Sequence, residues 1–206
     1  MADPTADTRP PEPNQLLPED YFCRLTPEQF NPSGALIELD LGCGDGSFLI
    51  DMAAHNPERQ FVGVERLMGR VRKVCRKAQR EGLENVRVLR LETLYTLQWL
   101  LPENSVDRIH LLCPDPWPKA RHHKRRIMQE PFFKAVVKTL KPGGEFLFKT
   151  DDPDYAQWAE EHTAAFKEWT RKSWDQDDFF YPKTDFQRQW EAEGKSMFSL
   201  RFVTPA

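Results

Sequence analysis

Two hundred and six residues, 39% apolar and 30% charged, suffice for one compact domain with its own core, and no run approaches the roughly 18 uncharged apolar residues of a membrane span. The net charge of −3 hides three unlike segments: residues 1–40 carry 2 basic and 8 acidic side chains, residues 41–150 carry 20 and 12, and residues 151–206 carry 7 and 12. The lack of such a run excludes a transmembrane chain, and no membrane partner is expected; a basic middle between acidic ends suits a chain that turns one face toward a polyanion, so nucleic acid is the first partner to consider.

Residues 1–9 hold Asp3 and Asp7 and lack both a basic start and an apolar run, so no secretory signal is expected and the chain is assigned to the cytoplasm. Five prolines in residues 1–18 (Pro4, Pro10, Pro11, Pro13, Pro18) predict a mobile tail or an extended wrap outside the core. Residues 1–30 are read as this tail and residues 31–206 as one domain. From Ala35 short apolar runs alternate with amphipathic stretches, predicting strands over 35–41, 60–65, 86–91, 107–112 and 144–150, each buried on both faces and hence parallel. Helices are predicted between them over 47–55, 67–80, 93–100 and 128–140, with Leu67, Val71, Val74 and Ala78 as the buried stripe of the second. The result is an α/β fold with a doubly wound, mostly parallel sheet. A helix over 153–166, an aromatic polar segment and a last strand over 196–203 complete the chain. The four cysteines, Cys23, Cys43, Cys75 and Cys113, stand singly and are expected to be reduced packing thiols.

The first strand runs into Asp40-Leu41-Gly42-Cys43-Gly44-Asp45-Gly46-Ser47, a turn whose glycines let the backbone bend and approach a ligand across the carboxyl end of the sheet. The spacing is Gly-x-Gly-x-Gly with Ser47 where a dinucleotide site wants glycine. Asp40 stands where a pyrophosphate would lie. A carboxylate there repels phosphate and suits an ammonium, which points to S-adenosylmethionine. Glu65, ending the second strand, stands where an acid takes ribose hydroxyls, and Glu92, closing the third, is placed to reach the adenine rim. After the fourth strand comes Cys113-Pro114-Asp115-Pro116-Trp117-Pro118-Lys119. Its prolines hold Asp115 stiffly at the carboxyl edge of the sheet, where it is the candidate catalytic group; turn formation is its alternative role. Trp117 is either core or a platform for a base. From Lys119 to Arg126 five of eight residues are cationic and two are histidines, residue types that contact phosphates. His122 and His123 lack acidic or thiol partners at ligand spacing, so no metal is expected. Nine cations between Arg66 and Arg90 form a second basic stretch, most of it expected to face solvent.

Together, Asp40-x-Gly-x-Gly-x-Gly, the Pro114–Lys119 block with Arg121-His122-x-Lys124-Arg125-Arg126, Leu140-Lys141-Pro142-Gly143-Gly144, Thr150-Asp151 and Thr184-x-Phe186 resemble the bacterial tRNA (guanine-N7)-methyltransferase family. The resemblance spans about residues 35–203. It implies a Rossmann-like class I methyltransferase that moves a methyl group from S-adenosylmethionine to N7 of a guanosine in the variable loop of tRNA. It places Asp40, Gly42, Gly44, Gly46, Glu65, Glu92 and Asp115 at the cofactor. Lys119, Arg121, Lys124, Arg125, Arg126, Asp151, Thr184, Phe186 and Gln187 fall on the tRNA, with a monomer or homodimer as the assembly. The chain departs from the family pattern at Glu92, where Asp is usual, at Gln187, where Glu is usual, and in its short proline-rich start. Two rival readings are methylation of an exocyclic base amine and a catalytically decayed RNA-binding relative. Asp115-Pro116-Trp117 resembles the Asp-Pro-Pro-Trp of amino-methyltransferases with proline and tryptophan out of order. An intact glycine turn and acid set oppose decay.

Overall fold

Apolar runs bounded by glycine and proline fold into five parallel strands, and the long amphipathic stretches cross between them on both faces. In the computed structural model, which describes residues 10–174 and 178–206, Leu36–Leu41 (β2) lies between Arg59–Val64 (β3) and Val106–Leu112 (β5), with Asp40 opposite Gly63 on one side and His110 on the other. Val86–Leu89 (β4) flanks β3, and Leu140–Thr150 (β6) flanks β5. Ser47–His55 (α2) and Met68–Arg80 (α3) cover one face, packing Phe48, Leu49, Met52, Val71, Val74 and Cys75 against Phe61, Val86 and Val88. Thr93–Tyr95 (α4) and Glu130–Thr139 (α5), with Pro153–Ala165 (α6), pack on the other around Leu39, Val64, Ile109, Phe132 and Phe148. The chain reverses direction across the sheet between β2 and β5, which opens a crevice at their carboxyl ends where open α/β sheets bind ligands.

The parallel centre matches the sequence reading closely, and the edges add what the pattern did not reveal. At one edge, Gln15–Leu16 (β1) pairs parallel with β4, and Asn14 Nδ2 donates to the carbonyls of Leu83 and Val86. Leu16 is therefore buried, as are Leu25 and Phe30, the latter on Pro27–Phe30 (α1). Between residues 10 and 30, expected to lie outside the core, Leu16, Leu25 and Phe30 thus join it; residues 1–9 lie outside the described residues. At the other edge, Phe198–Val203 (β8) runs antiparallel to β6 and Thr170–Lys172 (β7) antiparallel to β8, completing the order β1-β4-β3-β2-β5-β6-β8-β7. Trp169 stacks on Phe146 and Phe202, which fastens this edge. The expected helix over 93–100 is α-helical only to Tyr95 and continues as a π-helix over Thr96–Leu100. Of the expected stripe, Val71, Val74 and Ala78 are buried on α3, while Leu67, the residue before it, is half exposed; Cys75 is buried with them. A helix over Asp185–Ala192 (α7) forms within the aromatic polar segment, capped by Thr184, whose Oγ1 accepts from Gln187 N. All four cysteines are free thiols, Cys75 in the core and Cys23 exposed. Among the described residues no helix is long and apolar enough to cross a membrane, and no cluster of His, Cys, Asp or Glu could hold a metal ion.

Candidate active site

The carboxyl ends of β2, β3, β4 and β5 open into a cavity of about 890 Å³, walled by the segments after each strand and by Thr184, Asp185 and Phe186. The β2–α2 turn supplies its floor. Gly42 and Gly44 take positive φ, 75° and 58°, and neither has a heavy atom within 4 Å of where a Cβ would stand except the Gly42 carbonyl oxygen at 3.9 Å. Both are open to a ligand and both line the cavity. Gly46 differs. It has φ 79°, and a Cβ there would meet the Val74 methyl groups at 2.7 Å, so this glycine lets α2 pack on α3 and does not line the cavity. The expectation that Gly46 touches a ligand is corrected accordingly. Asp45, on the same turn, accepts from Lys73 and Lys77 at 3.0 and 3.3 Å. Partial burial works against ionisation, but these cations hold its carboxyl down at about 2, and they tie the turn to α3. The sequence reading gave Asp45 no role.

Asp40, only 3% exposed, lines the cavity, and no hydrogen bond from the described residues reaches its carboxylate. Burial, with a smaller push from Glu65, raises it to about 7. Glu65 is buried beside it; its Oε1 accepts from Leu67 N at 2.8 Å, and its Oε2 faces Arg70 at 3.6 Å. Glu92 lines the same wall and caps α4, its Oε2 accepting from Tyr95 N at 2.7 Å.

The opposite wall is the proline loop. Cys113 and Trp117 adopt φ of 50° and 47°, left-handed conformations that bulky residues rarely enter, so this loop stores strain where it borders the cavity. Asp115 lines the cavity, exposed, and accepts no hydrogen bond from the described residues. A turn residue would use its carboxylate on the backbone, and Asp115 does not. Arg125 stacks on Trp117 with its guanidinium carbon 4.8 Å from the ring centroid. The following segment, Ala120–Arg125, is a 3-10 helix, and Lys124 and Arg125 are exposed at the cavity wall while Lys119 and Arg121 are exposed beyond it.

Arg126 also lines the cavity, yet it is not one of the exposed cations expected to meet phosphates. It is 1% exposed, donates from Nε to the Pro116 carbonyl at 2.8 Å, pairs with Asp154 and lies 5.0 and 5.2 Å from the rings of Tyr155 and Trp158. It clamps the proline loop onto α6. Gln187 is corrected too: it is 3% exposed, its Nε2 donates to Glu191 Oε1 at 2.8 Å, and it is absent from the cavity wall. Asp151 is half-buried at the end of β6, also off the wall. Thr184 and Phe186 do reach the cavity, Phe186 with 52% of its surface exposed and its ring stacked on Trp190.

The family described as "Putative methyltransferase" matches residues 35–200. Two similar curated proteins are the tRNA (guanine-N(7)-)-methyltransferase of Syntrophotalea carbinolica, 35% identical over 77% of this chain and 70% of that one, and that of Agrobacterium fabrum, 36% identical over 81% and 74%. Among solved structures, the 16S rRNA methyltransferase KamB superposes with a TM-score of 0.64 at 20% identity, covering 87% of this chain and 92% of that one, a likeness of fold. By extent and identity of match, the chain belongs to the tRNA (guanine-N7)-methyltransferase family.

Proposed function

We infer that the chain transfers a methyl group from S-adenosylmethionine to N7 of guanine in tRNA, with the glycine-turn end of the cavity holding the methyl donor and the proline-loop end holding the base. The observation that carries this assignment of ends is the pair of buried carboxylates, Asp40 and Glu65, at a glycine turn open to ligand. Among the described residues no donor reaches Asp40, a desolvated acid raised to about 7, and such a group calls for a cationic partner. The ammonium of S-adenosylmethionine supplies one. Phosphate is disfavoured at the same place. When bound, S-adenosylmethionine supplies an electrophilic methyl group on a sulfonium. Asp40 takes its ammonium, Gly42 and Gly44 admit its chain, and Glu65 and Glu92 face its nucleoside.

N7 of guanine has a lone pair in the ring plane and no proton to lose, so no residue need act as a base. The chain has three tasks: to hold N7 in line, to exclude water, and to offset the positive charge that the ring acquires. Asp115 supplies the carboxylate, Thr184 a hydroxyl, and Phe186 and Trp117 aromatic faces for a guanine drawn from its stack. Lys119, Arg121, Lys124 and Arg125 meet phosphates around the cavity mouth. Of the four residues that the resemblance places on the tRNA near this end, Thr184 and Phe186 line the cavity, whereas Asp151 and Gln187 do not.

The reading is tested by incubating the protein with labelled S-adenosylmethionine and unmodified tRNA, then treating the RNA with borohydride and aniline. Label with chain scission at one guanosine is the expected result. Label without scission means amine methylation, and no label means an RNA-binding relative without activity.

A further inference from the structure

The strands were expected to be apolar on both faces, yet one face of the sheet between β2 and β8 carries charge. Arg108 lies opposite Glu38 on β2 and Glu145 on β6, and it bonds both. Arg201 on β8 also pairs with Glu145. The cover over this ionic layer is aromatic. Phe179 lies 4.1 Å from the Arg108 guanidinium and 5.4 Å from that of Arg201, while Lys149 Nζ sits 4.9 Å from the Trp174 ring and 4.7 Å from the Tyr181 ring.

Tyr181 is fixed by more than its ring. Its hydroxyl is 2.9 Å from His110 Nδ1, and His110 Nε2 is 2.8 Å from Glu38 Oε2. Burial opposes the charge on Glu38, but the hydrogen bond from His110 and the charges of Arg108 and Arg59 outweigh it and keep the carboxyl below its usual range. Burial also lowers the pKa of His110 and so favours its neutral ring; an ionised carboxylate only accepts, so that ring carries its proton on Nε2 and leaves Nδ1 as an acceptor for the Tyr181 hydroxyl. The Tyr181 ring also packs 4.8 Å from that of Phe48, a cavity residue in the first turn of α2.

Three residues after Tyr181 comes Thr184, which caps α7 and begins the stretch that lines the cavity. α7 makes little packing of its own against the other helices and strands, so its placement depends on the chain that leads into it. We propose that Tyr181 is a positioning residue for methyl transfer: the Tyr181–His110–Glu38 chain sets where Thr184 and Phe186 meet the guanine. Tyr181 itself is absent from the cavity wall, and its effect is exerted through α7. The proposal rests on the assignment of the Thr184–Phe186 wall to the base.

Tyr181→Phe removes the hydroxyl and keeps the ring over Lys149 and Phe48. The expected result is a tenfold to hundredfold slower single turnover at saturating tRNA and S-adenosylmethionine, the scale for a misplaced substrate, with cofactor affinity by calorimetry within twofold of the parent and a Tm lower by only a few degrees, the scale of one buried acceptor losing its donor. Phe186→Ala and the double variant separate positioning from general support. If Tyr181 acts through the α7 wall, the double variant is no slower than Phe186→Ala alone. Parent-rate transfer by Tyr181→Phe, rate losses that multiply in the double variant, or a loss that tracks weaker cofactor binding and a larger fall in Tm would each overturn the proposal. A parent protein that leaves N7 unmethylated overturns the functional reading instead.

Discussion

The two ends of the cavity are built in opposite ways. The glycine-turn end is local: Asp40, Gly42 and Gly44 fall within five residues, and Glu65 and Glu92 stand just beyond the next two parallel strands, each delivered to the crevice by the strand before it. The base end is assembled from segments far apart in the chain, the proline loop, the clamp from α6 and the start of α7. A site made of consecutive strand ends inherits its geometry from the sheet, whereas one made of loops needs separate fasteners. Arg126 and Tyr181 are two such fasteners, the first at the cavity wall and the second behind it.

Asp115 gives the widest separation between the two ends. Asparagine serves in a turn about as well as aspartate, so Asp115→Asn leaves melting and cofactor affinity unchanged. Loss of one charge beside a base that becomes cationic costs about 2–4 kcal/mol, or about thirtyfold to a thousandfold in single-turnover rate. Transfer at the parent rate by a normally folded variant would remove Asp115 from the chemistry and leave orientation alone to account for it.

The adjacent arginines sharpen the same contrast within one dipeptide. Arg126→Ala strips the Pro116 carbonyl and Asp154 of their partner and leaves a void beside Tyr155 and Trp158. About 3 kcal/mol of stability is lost, the low end of the scale for opening a buried pair because Asp154 is 65% exposed. Arg125→Ala, at an exposed site, leaves denaturant unfolding unaltered and weakens tRNA binding, with a shallower dependence of log affinity on log salt. Equal unfolding midpoints for the two variants would contradict the clamp.

Sequence alone distinguishes these two arginines poorly, because a run of cations reads as one surface whichever member turns inward. The parallel centre of the sheet is legible because buried parallel strands need apolar runs between turn signals, as 35–41 and 60–65 provide. The two-residue β1 escapes for want of length; the ionic face did leave a trace, since Glu38 and Asp40 on β2, and Arg108 and His110 on β5, stand two apart, the spacing of one strand face. One overlooked element did carry a local signal: Thr184-x-x-Gln187 is a helix-start spacing, and α7 begins there. Gln187, placed on the tRNA by resemblance, helps build that helix.

At the glycine-turn end, pH is the sharper probe. An unfolded aspartate releases its proton near pH 4, while folded Asp40 holds its own to about 7. Between these values the folded state binds the extra proton, so Asp40 favours folding of the ligand-free protein at acid pH, and that contribution is lost as pH rises toward 7. The ammonium of S-adenosylmethionine needs the carboxylate. Affinity should therefore rise with pH up to about 7 and level off above, by at most tenfold per pH unit. Calorimetry at pH 6 in buffers of different ionisation enthalpy should register proton release on binding. Asp40→Asn should bind weakly and without this pH dependence. A parent affinity that is flat from pH 6 to 8 would count against Asp40 as the ammonium partner.

The smallest effect is expected at Gln187, and its smallness is informative. Were its side chain beside the guanine, truncation would cost turnover. Its amide instead donates to Glu191, whose carboxyl is held below its usual range by hydrogen bonds from Lys183 and then Gln187, and Lys183 remains when Gln187 is removed. Gln187→Ala therefore leaves the single-turnover rate within about twofold while helix α7 is weakened only slightly. The glutamine backbone N–H that Thr184 caps is untouched by the substitution, so the wall formed by Thr184 and Phe186 keeps its place. A loss of tenfold or more in transfer rate, with Tm preserved, would put residue 187 at the base after all and shift the specificity of this end of the cavity from Thr184 and Phe186 to the inner face of α7.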